Sequence, residues 1–153
     1  MSPGRSRGFT LVELMITIVV LGILIGLAAP AFRVFLADQR IRAASMDLQM
    51  ALTMARSEAI KRNTRIDLAR SNGTDWSDGW RVPDPNDVTL LTYTPVADVT
   101  VTGPAGDITF RPSGRAVTGA SFRVTVAGLA SATPSCITLD SSGRAEGGQG
   151  TCP

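Results

Sequence analysis

GFTLVELMITIVVLGILIGLAAPAF, residues 8–32, decides how the rest of the chain must be read. From Phe9 to Ala29 it runs 21 residues with a single charge, the carboxylate of Glu13. As a helix rising about 1.5 Å per residue, that run is about 30 Å long, enough to cross the hydrocarbon core of a bilayer. Arg5 and Arg7 precede it with no acid beside them, so the positive-inside rule keeps the N-terminus in the cytoplasm and sends everything after Pro30 outward. A removable secretory signal fits poorly, because the run exceeds an ordinary h-region and no A-x-A-like site precedes a polar start. A plain membrane anchor accounts for the length and leaves Glu13 unexplained. A carboxylate in hydrocarbon costs about 2.5–3.5 kcal/mol on insertion scales and normally marks a functional pairing.

Outside that run, the 153 residues allow one domain; the composition, 44% hydrophobic and 18% charged, is that of a globular protein with an apolar stretch added. After Pro30 the text AFRVFLADQRIRAASMDLQMALTMARSEAIKRN is rich in Ala, Leu, Met and Arg and has no Gly or further Pro before Gly73, so it reads as a continuing helix. At 100° per residue Ile41, Ala44, Leu48, Leu52, Ala55 and Ala59 share one face, which should pack on a sheet. Met46, Met50 and Met54 fall opposite, either to contact neighbouring subunits or to sit exposed or under a loop.

The pattern changes after Asn63. TRIDLA, DVTLLTY, DVTVT, DITFR, SFRVTVA and CITLD are short, rich in Thr and Val, partly alternating, and separated by turn signals such as NG, DG, PSG and SSG. One helix followed only by antiparallel strands predicts an α+β fold, the helix laid on one or two small sheets. A weak internal echo joins Arg111-Pro112-Ser113-Gly114-Arg115-Ala116 to Asp140-Ser141-Ser142-Gly143-Arg144-Ala145. Gly114 and Gly143 should supply turn conformations that other residues resist. Trp76-Ser77-Asp78-Gly79-Trp80 reads as a hairpin around Asp78-Gly79 whose rings cap the core.

Gly8-Phe9-Thr10-Leu11-Val12-Glu13 resembles the class III signal of type IV pilins and of the pseudopilins of type II secretion: a short basic leader ending in Gly, then Phe, then apolar residues with Glu in fifth place. The resemblance implies that a prepilin peptidase cuts between Gly8 and Phe9 and methylates the Phe9 amine. It further implies that Glu13 of an incoming subunit meets the terminal amine of a neighbour, acting mainly as a register pin because desolvation offsets much of the attraction. The expected organisation is a leader at 1–8, a transmembrane helix half at 9–29, an amphipathic half at 30–63 and a β-rich periplasmic head at 64–153. Within the pilin-like proteins the chain is similar to the GspH/FimT group of minor pseudopilins, through ARSEAIKRN, the tryptophan stretch, FRPSGR and the closing ITLDSSGRA, in that order. That group implies a minor pilin of a type IV pilus, helping initiation or tip assembly; a minor pseudopilin of type II secretion remains the alternative. The implied partners are other pilin subunits, the prepilin peptidase and the inner membrane.

Cys136 and Cys152 are the only cysteines and lie in the part placed outside the cytoplasm, where an even count favours a disulfide. Closing a loop of about 16 residues, it would stabilise the fold by roughly 3 kcal/mol and pin the Gly-rich tail EGGQGT beneath the last strand. No histidine is present, no phosphate loop precedes a helix, and no carboxylate pair has a convincing spacing, so the chain reads as a non-enzyme with no cofactor and no metal. Asp84, Asn86 and Asp87 read as a solvated turn rather than a Ca²⁺ loop, and Asn72-Gly73-Thr74 as a turn rather than a glycosylation site. DNA capture is a separate question, because some FimT-type subunits are associated with it through a C-terminal Gly-Arg-x-Arg motif. Here that place reads Gly143-Arg144-Ala145-Glu146, with an acid where the second arginine belongs. From Ser71 to Pro153 five arginines face eight carboxylates, a net of −3, so a DNA contact would rest on a local patch of Arg111, Arg115, Arg123 and Arg144.

Overall fold

A computed structural model describes residues 8–94, 96 and 98–152; the leader expected at 1–8, Arg5 and Arg7 included, lies outside that range except for Gly8. Helix α1 spans Leu11–Arg62 without interruption. It passes through Pro30, which has no N–H to give to the preceding turn. At its far end Asn63 takes a left-handed conformation (φ 50°) and its N–H reaches the carbonyls of Ala59 and Ile60, while Lys61 and Arg62 complement the negative end of the helix dipole.

The two halves of α1 differ in what they touch. Leu11 through Ala31 are exposed along their whole length, whereas Ala37, Ile41, Ala44, Ser45, Leu48, Ala51, Leu52, Ala55 and Ala59 are buried against the head. The six residues marked by periodicity are all on that buried face. Its many alanines let the sheets approach the helix closely, while Ile41, Leu48 and Leu52 supply most of the apolar bulk. Met46 and Met50 stand exposed on the other side and Met54 is half-buried.

Among the described residues, eight antiparallel strands form two sheets. β1 (Ile66–Arg70), β2 (Trp80–Pro83), β3 (Thr89–Tyr93) and β5 (Ile108–Phe110) make one, in the order β3-β2-β1-β5. β4 (Val99–Thr102), β6 (Ala120–Val126), β7 (Ser135–Leu139) and β8 (Ala145–Gln149) make the other, in the order β4-β6-β7-β8. Period-two alternation decides the faces: Phe122 and Val124 point into the core, Ser121 and Arg123 to solvent. Trp80, Phe110, Phe122, Leu68 and Ile137 meet α1 residues Leu48 and Leu52 in one continuous core.

Two local expectations fail. Trp76 belongs to no hairpin strand: Trp76–Asp78 is a 3₁₀ turn capped by the Asp75 side chain, inside the connection from β1 to β2. That turn carries Trp76 over to the second sheet, where its ring meets Phe122 edge-on at 5.0 Å and its indole N–H donates to the Pro104 carbonyl at 2.8 Å. Trp80 stays with the first sheet, stacked on Tyr93 at 4.3 Å. The tail EGGQGT does not lie beneath the last strand either. Ala145–Gln149 is itself the last strand, paired with β7 from Ser135↔Gln149 to Leu139↔Ala145. The absence of a side chain at Gly147 leaves room for the amide end of Gln49 of α1, which a β-carbon there would displace.

Candidate functional site

The residues on which processing and assembly are expected to act lie just before the first turn of α1, at Gly8 and Phe9, and within it, at Glu13. Phe9 is 79% exposed. Thr10 caps the helix: its hydroxyl accepts from the Glu13 N–H at 3.2 Å, and the Glu13 carboxylate accepts from the Thr10 N–H at 3.5 Å. This is a reciprocal capping box, satisfying two donors that the helix itself leaves unpaired, with the acid at the positive end of the dipole. Glu13 therefore has a local partner within its own chain. The spacing Thr10-x-x-Glu13 ahead of an apolar run was the available signal for it.

The head carries the candidate DNA contacts in three places. The two echoing segments fold as the same turn. In one, the Gly114 N–H donates to the Arg111 carbonyl at 2.8 Å and the Arg111 N–H to Arg115 at 2.9 Å. In the other, Gly143 donates to Asp140 at 3.0 Å and Asp140 to Arg144 at 3.1 Å. Both glycines have positive φ, 74° and 83°. The turns abut, and Arg56 of α1 holds the junction by donating to the Gly143 carbonyl at 3.1 Å. Arg115 and Arg144 thus follow neighbouring turns, whereas Arg123 stands on the outer face of β6, opposite Cys136 of β7.

Electrostatics divide these arginines. Arg144 pairs with Glu146 at 3.0 Å, both well exposed. It borders an open depression of about 440 Å³ that also holds Asp140, Glu146, Ser121 and Thr138. The Ser142 hydroxyl, at 2.6 Å, and the Arg144 N–H, at 3.0 Å, both donate to Asp140 and hold its carboxyl below the ordinary range, so it stays charged. Two acids beside one arginine make that depression a poor cradle for phosphate. Arg111, Arg115 and Arg123 are exposed and carry no ion pair among the described residues. Cys136 and Cys152 are joined, with their Cα atoms 5.1 Å apart, tying the chain end to β7 beyond β8.

A family model described as type II transport protein GspH matches residues 44–143, more than half of the chain. The chain belongs to the GspH family. The match begins on the head-packing half of α1 and stops at the second Gly turn, so β8 and Cys152 lie beyond it. A second model, the prokaryotic N-terminal methylation motif, matches residues 3–29. Among solved structures, the type IV minor pilin FimU of Pseudomonas aeruginosa superposes with a TM-score of 0.59 at 21% identity, over 71% of this chain and 87% of that one. The minor pseudopilin EpsH of the Vibrio cholerae type 2 secretion system gives 0.57 at 11%, over 72% and 97%. No curated protein sequence matches the chain. Long apolar helix, two antiparallel sheets and methylation motif together make this GspH-family member a minor pilin or pseudopilin-like protein.

Proposed function

We propose that the chain is a non-enzymatic minor pilin of a type IV pilus, acting in initiation or tip assembly. A prepilin peptidase cuts between Gly8 and Phe9 and methylates Phe9. The helix then waits in the inner membrane with the head in the periplasm. The observation that carries this reading is the bare apolar half of α1, exposed from Leu11 to Ala31 and holding one carboxylate at its start. Such a surface needs lipid first and other subunits later. The capping box keeps Glu13 satisfied while the subunit waits, and a neighbour's Phe9 amine offers the stronger, charged partner on assembly. Glu13→Ala should leave the chain in the membrane fraction and remove it from sheared fibres; normal recovery in fibres would refute the pairing.

A terminal cysteine pair in a tail that also carries Gly143-Arg144 resembles FimT, which favours the pilus over the secretion pseudopilus, and co-purification of the chain with sheared pili, against its retention in secretion complexes, separates the two. A second reading, DNA capture by the head, is favoured by one observation: the contact of the Gly114 and Gly143 turns brings Arg115 and Arg144 onto adjacent segments. A gel shift at low and moderate salt, with Arg115→Ala and Arg144→Ala beside the parent, tests it; no shift at low salt disposes of it.

A further inference from the structure

Where α1 leaves its apolar run it meets the lower end of the head. Arg33, Leu36 and Arg40 of the helix face Asp98 at the approach to β4 and Val126 and Leu129 at the end of β6, around an open groove of about 180 Å³. Four features of this place point to the same ligand. First, Arg33 lies four residues past Ala29, about 6 Å along the axis, which is within the polar layer that flanks the hydrocarbon core. Side chains on a helix lean toward its N-terminus, so the guanidinium is directed back at that layer. Second, Phe32 and Phe35 stand exposed at 59% and 55% with ring centres 6.4 Å apart, apolar surface that water does not favour and an interface would accept.

Third, the cation nearest the bilayer is the unpaired one, although Asp98 and Asp38 match Arg33 and Arg40 in number. Arg33 has no ion pair among the described residues, and Arg40 has only a long contact of 3.6 Å to an exposed Asp98. The other nearby acid, Asp38, is already engaged by the Thr133 N–H at 2.9 Å, a bond that ties the loop after β6 to the helix. Fourth, that loop is part of an uncharged stretch from Val124 to Leu139, so it adds no acid of its own to a face on which the exposed Asp98 contacts Arg40.

We propose that before assembly this groove seats on the outer leaflet of the membrane in which α1 is anchored, with the phosphate of an anionic phospholipid on Arg33, Arg40 behind it, and the Phe32 and Phe35 rings at the headgroup level beside it. The inference rests on the membrane-anchored reading above. It gives the waiting subunit a fixed tilt of the head on the bilayer, through the Asp38–Thr133 tie.

The test uses the full chain in vesicles of phosphatidylcholine and of phosphatidylcholine with phosphatidylglycerol, followed by hydrogen exchange of amides 127–133. Slower exchange in the phosphatidylglycerol vesicles is expected, by about fivefold at low salt for one arginine near an anionic surface, and lost in Arg33→Gln. Amides of Phe122 and Val124 report the fold and should not change in that variant. Equal exchange in the two lipids, or protection that persists in Arg33→Gln, overturns the proposal. Protection that rises with protein density at fixed composition also overturns it, in favour of a second copy on this face. Release of the chain from either vesicle by alkaline carbonate contradicts the membrane-anchored reading instead, so the two failures are distinct.

Discussion

A β-carbon added to Gly143 would overlap the carbonyl oxygen of Gly114, a residue of the other sheet's turn. The two echoing turns are therefore in backbone contact, and the left-handed conformation of Gly143 (φ 83°) is required twice over, by the turn and by its neighbour. Gly143→Ala should destabilise the head by about 2–4 kcal/mol, combining backbone strain with displacement of packed main chain. Gly128, also at positive φ (74°) but with open space around it, serves as the comparison; Gly128→Ala should cost only about 1 kcal/mol. Denaturant midpoints followed by tryptophan fluorescence decide it, and equal losses in the two variants would count against the turn junction.

The Cys136–Cys152 bridge closes a sequence separation of 16 and holds the chain end across from the outermost strand, β8. Replacing both cysteines by serine should lower stability by about 3 kcal/mol. The amides of Gly147 and Gly148 should then exchange before those of β6. An unchanged midpoint would mean that β8 is held by its hydrogen bonds to β7 alone.

Trp76 and Trp80 are both buried, yet only Trp76 has a partner for its indole N–H, the Pro104 carbonyl; the Trp80 N–H has none in the described structure. Trp76→Phe leaves that carbonyl without its donor and should cost about 1–3 kcal/mol. Trp80→Phe removes an unpaired donor along with some packing, so its cost should be smaller. Thermal unfolding of the two variants checks the order, and a larger loss in Trp80→Phe contradicts it.

Acid stability should depend on Asp140. Hydrogen bonds from the Ser142 hydroxyl and the Arg144 N–H lower its pKa, so the folded state binds that proton more weakly than the unfolded chain does. The stabilisation is present above the unfolded carboxylate value, about 3.9, and is lost as pH falls through the lower folded value. Asp84, lowered by the Val88 and Asn86 N–H groups, acts in the same direction. Asp140→Asn keeps an acceptor without the titration. The advantage of the parent over this variant should shrink as pH falls below the carboxylate range; a constant gap would remove Asp140 from the acid limb.

Much of this molecule was legible because its strongest signals are local. The lone acid in residues 9–29 and the helical periodicity from Ile41 to Ala59 each needed one stretch of chain, and all six periodic residues are buried. The capping box was equally local and went unread, because the charge of Glu13 drew the reading toward a partner outside the chain. β8 was illegible for a different reason. AEGGQ has neither alternation nor β-branched residues, and the one glycine of it that meets the helix, Gly147, faces Gln49, nearly one hundred positions earlier. The same holds for Trp76, whose turn looks like half of a hairpin until Phe122 and Pro104 are placed beside it. The pairing of β5 with β1 and of β4 with β6 is likewise set by the shared core and by no dipeptide in either strand.

Intact-mass and fragment analysis of the chain purified from membranes and from sheared fibres tests the central claim most directly. A polypeptide beginning at Phe9 with a methylated amine is expected in both fractions. A chain that keeps residues 1–8 and is found only in the membrane would contradict that claim.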